Sequence, residues 1–137
     1  MKRFIVSLIF LPLIFSCEEK IFTEGIDCEE CYQEKPDSAD LIINLTINDT
    51  YNIIPLVVYK NDVEDNDIEY VDTAYGSPYY LYVPVNNKYS VAAEYNYENK
   101  NTVAIDGTHL KIKRVRGACD EDCWIIEGQD MNVRLKY

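Results

Sequence analysis

Hydrophobic and polar residues alternate along most of this chain with a period of two. Three segments show the alternation most clearly, at residues 41–48, 89–97 and 131–137. In the first of them, apolar side chains occupy every odd position, as Leu41, Ile43, Leu45 and Ile47. Because successive side chains of a β-strand point to opposite faces, each segment predicts a strand with one buried face.

Turn-forming residues separate the apolar segments at short intervals. They are Asn48-Asp49, Asn61-Asp62, Tyr75-Gly76-Ser77-Pro78, Asn86-Asn87, Glu98-Asn99, Asp106-Gly107 and Gly128-Gln129. Asp106-Gly107 predicts a two-residue hairpin, because glycine tolerates the positive φ that such a turn requires. Further strands are expected near residues 53–59, 68–73, 79–85, 102–106, 108–116 and 124–127.

The number and spacing of these elements predict the fold class. About seven to nine short strands with frequent turns are typical of a small antiparallel β-sandwich, immunoglobulin-like or transthyretin-like, and a barrel is the alternative. No stretch after Ala39 keeps helical spacing for three turns. We therefore expect an all-β domain.

The N-terminus has the composition of an export signal. Lys2 and Arg3 precede an apolar run from Phe4 to Phe15, which is too short to span a bilayer as a stable helix. The sequence Ile14-Phe15-Ser16-Cys17 that ends this run resembles the lipobox of bacterial lipoproteins. This resemblance implies cleavage after Ser16 and a diacylglycerol anchor on Cys17, which would attach the protein to a membrane.

Two further resemblances bear on location and fold. Glu18-Glu19-Lys20 resembles the acidic export signal of Bacteroidota-type lipoproteins, which implies a lipid-anchored protein of the bacterial outer membrane, exposed at the cell surface. If these acids only reflect a solvated tether, the protein stays on the periplasmic face. Residues 83–91 resemble the hairpin of transthyretin-like domains in bacterial surface proteins.

These features divide the chain into three parts. We expect a signal peptide at residues 1–16, an acidic tether at 17–39 and the β-sandwich at 40–137. The 137 residues include 13 basic and 24 acidic ones, and loss of Lys2 and Arg3 with the signal leaves 11 basic residues and a formal charge of −13. This charge disfavours binding to nucleic acid or to bare anionic lipid headgroups.

Four cysteines remain when the lipidated Cys17 is set aside, and they are Cys28, Cys31, Cys119 and Cys123. Outside the cytoplasm, four cysteines most often form two disulfides. The short spacing favours a local Cys119–Cys123 bond, whereas bonds between the two groups would each close about ninety residues and constrain the unfolded chain far more. A four-thiolate zinc site is the other alternative, although the surrounding acids disfavour thiolates.

Two groups of side chains are candidates for ligand binding. If Leu81 and Val83 point inward, Tyr79 joins them, and Tyr80 and Tyr82 stand on the outer face, where flat rings could stack on a sugar or on a partner protein. Cations are concentrated in a second group at Lys111, Lys113, Arg114 and Arg116. This group could contact an anionic glycan or partner, or it could balance nearby acids and protect an edge strand.

The motifs of common enzymes are missing from the sequence. His109 is the single histidine, it is expected to face solvent, and neither a Gly-x-Ser-x-Gly elbow nor a His-Glu-x-x-His motif is present. The acidic residues 61–69 could bind calcium, but they lack an EF-hand pattern, and a solvated loop is the better interpretation. We therefore expect no enzyme activity, no metal and no cofactor.

The functional prediction combines the anchor with the fold. We expect a non-enzymatic, lipid-anchored binding or accessory module, at the surface or in the periplasm, that captures a glycan or a protein. The alternative is a structural subunit of an outer-membrane or surface assembly whose tyrosine face docks another protein. The sequence does not choose among specific ligands.

Overall fold

The computed structural model describes residues 25–117 and 119–136, so the predicted signal peptide and Cys17 lie outside the described residues. Eight strands are present: β1 Ser38–Asn44, β2 Ile54–Lys60, β3 Ile68–Ala74, β4 Tyr79–Pro84, β5 Asn87–Tyr97, β6 Lys100–Val115, β7 Cys123–Glu127 and β8 Asp130–Asn132. Two short 3-10 helices, Cys28–Glu30 and Val63–Asp65, complete the regular structure. The all-β prediction is confirmed, and none of the described residues forms a helix that could cross a membrane.

The strands form two sheets packed as a small sandwich. One sheet has the order β4-β1-β8, with β1 antiparallel to β4 and parallel to β8. The other has the order β3-β2-β5-β6-β7 and is antiparallel throughout. The chain changes sheet after β1, β3, β4 and β7, so residues distant in sequence meet across the core.

The core lies between the inner faces of the two sheets. Its largest fully buried side chains are Tyr89, Tyr95, Leu41, Ile43, Ile54, Leu56, Leu110 and Met131. The Tyr95 hydroxyl donates to the Val133 carbonyl at 2.7 Å and accepts from the Thr46 amide at 3.1 Å. The Tyr89 hydroxyl donates to the Pro84 carbonyl at 2.7 Å. Both tyrosines are therefore buried with their polar ends satisfied, as a stable core requires.

The predicted hairpin at Asp106-Gly107 is wrong, because β6 runs without interruption through both residues. β5 turns into β6 at the predicted Glu98-Asn99 turn, where Glu98 has a φ of 52°. The Asp106 carboxylate accepts the Gly107 amide at 2.9 Å and the Asn132 amide at 2.7 Å, so it joins β6 to β8. A Cβ at Gly107 would lie 3.1 Å from Ser90 Oγ, so a larger residue there would require a small shift of the Ser90 side chain.

The predicted C-terminal strand is shorter than its alternation suggests. β8 ends at Asn132, yet the chain continues alongside β1, with the Val133 amide donating to the Asn44 carbonyl at 3.0 Å. Met131 and Val133 are both buried, as the alternation predicted. β1 itself begins at Ser38, two residues before the expected start of the domain.

A hydrogen bond closes the side of the sandwich where β3 and β4 are the edge strands. The Tyr79 hydroxyl donates to the Asp72 carboxylate at 2.5 Å. Burial, followed by this bond to Asp72, raises the pKa of Tyr79. The bond from Tyr79, with help from the Thr73 amide, lowers the pKa of Asp72 below its ordinary value. The ionised form of Asp72 is therefore the one that stabilises this side of the fold.

We expect this bond to make stability depend on pH in the acid range. Since the pKa of Asp72 is lower in the folded state, its contribution is complete above the unfolded pKa of about 3.9 and is lost as the pH falls through the folded pKa. Asp72→Asn should lower the thermal midpoint at pH 7. The midpoint of the variant should also fall less steeply as the pH decreases, because the variant lacks the carboxylate that is protonated. Parallel melting curves of both proteins from neutral pH downward would show whether their difference shrinks. A constant difference would contradict this account.

Candidate functional site

Two disulfides attach the N-terminal segment to the sandwich. Cys28 is bonded to Cys119, with Cα atoms 5.8 Å apart, and Cys31 to Cys123, with Cα atoms 5.5 Å apart. The favoured local bond between Cys119 and Cys123 is therefore wrong, and the pairing between the two groups is present. Local spacing misled the prediction because the segment around Cys28 packs directly beside the loop that contains Cys119.

The zinc alternative would use the same sulfur atoms that the disulfides occupy. The sulfurs of Cys31, Cys119 and Cys123 lie within 4.8 Å of one another. In the structure, each is joined to a partner in a disulfide, and a disulfide sulfur carries no thiolate charge with which to bind a metal. These cysteines therefore attach the N-terminal segment covalently to the sandwich.

A β-bridge continues this attachment beyond the cysteines. The Tyr32 amide donates to the Trp124 carbonyl at 2.8 Å, and the Trp124 amide donates to the Tyr32 carbonyl at the same distance. The Lys35 ammonium lies 5.5 Å from the centroid of the Trp124 ring, a cation–π distance. Residues 28–37, which the sequence assigned to the tether, are thus held against β7 and form one wall of a cleft.

The cleft lies between this wall and the two sheets. It has a volume of about 430 Å³ and is lined by Tyr32, Glu34, Lys35, Pro36, Asp37, Ser38, Ala39, Asp40, Tyr82, Ile126 and Gln129. A second hollow of about 220 Å³ shares Tyr32, Ile126 and Gln129 with it, so the two lie side by side. We call the larger of these two hollows the Tyr32–Tyr82 cleft.

The polar groups of this cleft are mostly carboxylates. Glu34, Asp37 and Asp40 contribute three negative charges, and Lys35 is the single cation among the lining residues. The Gln129 amide donates to the Asp40 carbonyl at 3.1 Å, which fixes its side chain at the cleft wall. A site with this charge repels anions, whereas carboxylates form strong hydrogen bonds with hydroxyl donors.

The rings of the cleft come from two different parts of the chain. Tyr82 is 69% exposed on the outer face of β4, and Tyr32 is 49% exposed beside β7. Tyrosine rings present a flat apolar surface together with a polar edge. The cleft can therefore offer stacking surfaces and hydrogen-bond acceptors to the same ligand.

The predicted tyrosine face is correct in orientation, but its two members differ in position. Tyr79 is half-buried and Val83 is buried, while Tyr80 and Tyr82 are 60% and 69% exposed on the opposite face. Of these two, Tyr82 lines the cleft. Tyr80 lies opposite Ile42 of β1 in the same sheet and does not line the cleft.

The predicted basic group lies apart from the cleft, on β6. Arg114 is hydrogen-bonded to Asp122 at 3.0 Å, and Lys113 pairs with Glu127 at 3.8 Å. Lys111 on the same strand and Arg116, one residue after its end, are exposed. Because two of the four cations already pair with acids of the same domain, charge balance accounts for half of the group.

His109, the buried Ser90 and the acidic loop at residues 61–69 are the other polar features considered as sites. His109 is exposed, as predicted, and lies opposite Lys88 in the β5–β6 ladder. The buried Ser90 hydroxyl donates to the Asn61 carbonyl at 2.6 Å, so its proton is engaged by the backbone. In the acidic loop, the Asp62 and Asp65 side chains form a capping box around the short helix Val63–Asp65. These acids shape a turn.

Most residues of the cleft were missed by sequence reasoning. Tyr32, Glu34 and Asp37 fall in the segment predicted to be a tether, where no alternation marks a packed element. The position of Cys31 was the available signal, since a bond from Cys31 to the second cysteine group brings the residues after it onto the domain. A local Cys119–Cys123 bond would leave the residues after Cys31 unattached to the domain, so this prediction did not place them in a cleft.

No family model, curated protein or solved structure matches this chain. What the cleft binds therefore has to be inferred from its own residues.

Proposed function

We propose that this protein is a lipid-anchored binding module of the bacterial outer membrane that captures a neutral glycan in the Tyr32–Tyr82 cleft. The observation that supports this proposal best is the meeting of two exposed tyrosine rings with three carboxylates in one open cleft. Sugar rings have apolar faces and hydroxyl edges, which these two kinds of group complement.

The charge of the cleft selects among possible glycans. Three carboxylates against one lysine disfavour sulfated, phosphorylated or otherwise acidic sugars. The basic group on β6 does not line the cleft, and two of its cations pair with Asp122 and Glu127. We therefore favour a neutral glycan over the anionic one that the basic residues suggested.

The first test compares two tyrosines of the same strand face. Tyr82→Ala should weaken binding of neutral oligosaccharides by about tenfold or more, equivalent to about 1.4 kcal/mol, because a stacking surface is lost. Tyr80→Ala is the matched control, since Tyr80 is similarly exposed but lies outside the cleft. Binding is measured by calorimetric titration against oligosaccharides selected on a glycan array. Equal losses in both variants, or preferential binding of acidic glycans, would overturn the proposal.

The anchor is tested separately. Cys17→Ala should release the protein from the membrane fraction, because the acyl chains that Cys17 would carry hold it there at roughly 0.8 kcal/mol per buried CH₂. Cys31→Ser is a matched control that removes a different cysteine and should leave membrane association unchanged. Fractionation of cells followed by detection of the protein gives the readout, and protease treatment of intact cells reports the leaflet. Persistent membrane association of Cys17→Ala would contradict lipidation at this residue.

A further inference from the structure

The outer face of the five-stranded sheet carries an apolar row that crosses four strands. In the ladder register, Val57 of β2 lies opposite Val71 of β3 on one side and Ala92 of β5 on the other. Ala92 in turn lies opposite Ile105 of β6. The row Val71, Val57, Ala92 and Ile105, which we call the central row, therefore contains no polar side chain.

Large apolar side chains on this face are exposed and contiguous. Val71 and Ile105 are 63% and 58% exposed, and Val103 and Ile68 next to the row are 53% and 51% exposed. With strands about 4.8 Å apart and side chains about 7 Å apart along each strand, the patch covers on the order of 400 Å². A patch of this size often marks an interaction surface, and it could form the apolar centre of an interface of about 800 Å² per partner.

The shape of the face is self-complementary. Val103 projects from β6 two residues before Ile105, and Gly107 leaves a gap two residues after it. Gly107 and Ser90, together with polar residues that include Lys88 and His109, line a hollow of about 300 Å³ on the Gly107 side of the central row. The projection and the hollow lie at equal distances from the central row. A two-fold axis along this row, between two stacked copies, brings the projection of each copy opposite the hollow of the other.

Charged residues of β5 lie on both sides of the central row. The outward-facing residues of β5 are Lys88, Ser90, Ala92, Glu94 and Asn96, so one cation and one carboxylate flank Ala92. The Glu94 carboxylate accepts the amides of Asn96 at 3.0 Å and Asn101 at 2.8 Å, which fix its position. If two copies stack with β5 strands antiparallel about Ala92, Lys88 lies opposite Asn96 and Glu94 lies opposite Ser90. Lys88 of each copy is then a diagonal neighbour of Glu94 of the other, and no like charges of β5 face each other.

We propose that a second copy of this chain covers this face. The two five-stranded sheets stack about 10 Å apart with a two-fold axis along the central row. Val103 of each copy enters the hollow at Gly107 of the other, and Ala92 lies opposite itself. Such a dimer carries two Tyr32–Tyr82 clefts, one on each copy.

The position of Ala92 on the axis provides the test. In membranes containing the full chain, Ala92→Cys should be joined into a covalent dimer by a short bis-maleimide. A direct disulfide is not expected, since sheets about 10 Å apart exceed the Cα separation that a disulfide allows. Tyr80→Cys is the control, because Tyr80 is 60% exposed on the other sheet. About tenfold more dimer from Ala92→Cys supports the proposal, and equal yields overturn it.

A second variant tests the interface without crosslinking. Ile105→Asp changes a side chain that is 58% exposed, so the monomer fold is retained, but it places the carboxylates of the two copies opposite each other on the axis. The mass of the detergent-solubilised full chain is measured by light scattering over a range of concentrations. We expect the dimer dissociation constant to rise by about tenfold or more. A monomeric unaltered protein, or an unchanged constant in Ile105→Asp, would overturn the proposal and leave a different protein as the occupant.

Discussion

Replacing all four disulfide cysteines with serine is expected to destabilise the domain by about 7 kcal/mol, whereas replacing one bonded pair should cost only about 2.5 kcal/mol. The two bonds have sequence separations of 91 and 92 residues, and their ends lie close together. Either bond alone closes nearly the same large loop of the unfolded chain. The loss should therefore be strongly non-additive.

The size of each closed loop determines how much a disulfide stabilises the domain. Closing about ninety residues lowers the entropy of the unfolded chain by an amount worth about 4.6 kcal/mol. Once Cys28–Cys119 is formed, Cys31–Cys123 adds only a ring of about eight residues, worth about 2.5 kcal/mol. A loss of about 7 kcal/mol is comparable with the whole stability of a small domain, so the four-serine variant should be largely unfolded.

Denaturant titrations of both single-pair variants and of the four-serine variant measure these effects. Each single-pair variant should also retain the Tyr32–Tyr82 cleft, because the remaining bond still attaches the N-terminal segment. A loss of about 4 to 5 kcal/mol in a single-pair variant, the value for one full loop, would show that the bonds act independently.

Gly128→Ala is expected to be the most damaging single substitution at a glycine of the described residues. Gly128 lies between β7 and β8 with a φ of 77°, a conformation that alanine adopts only under strain. A Cβ there would overlap the His109 carbonyl oxygen and lie 3.0 Å from Thr108 Oγ1. The backbone of His109 cannot move away easily, because β6 is paired with β5 at this residue.

We expect a loss of about 3 to 5 kcal/mol from Gly128→Ala, which would lower the thermal midpoint by more than about 10 °C. Gly76→Ala is the matched control, since a Cβ at Gly76 meets nothing within 4 Å and its φ is not positive. Its effect should stay within about 0.5 kcal/mol. Thermal melting followed by circular dichroism compares the two. Similar midpoints for both variants would show that the turn at Gly128 can rearrange.

The candidate site shows where sequence reasoning succeeded and where it stopped. Alternation on β4 predicted that Tyr82 faces outward, and its exposure confirms this. The same alternation could not predict that Tyr82 lines the cleft and Tyr80 does not, because both tyrosines face outward on β4. The difference is that residues 32–37 pack near Tyr82. Tyr32 and Asp37 complete the cleft from a segment without periodicity, so nothing local marked them as packed.

The apolar outer face was also outside the reach of local patterns. Val103 and Ile105 were assigned to a strand that ended at a turn at Asp106-Gly107. In the structure, β6 continues, and its pairing with β5 aligns Ile105 with Ala92. The central row therefore depends on the register of four strands, which a single strand's sequence does not contain.

By itself, the sequence determined the elements whose cause is local. Side-chain alternation predicted an all-β domain, the buried side of most strands and the outward direction of Tyr80, because these depend on neighbours one or two residues away. The tertiary structure decided which cysteines meet, that Asp106 joins β6 to β8, and that residues 28–37 form a cleft wall. Those outcomes depend on contacts between segments tens of residues apart. A local pattern of residues does not predict the free energy of such contacts.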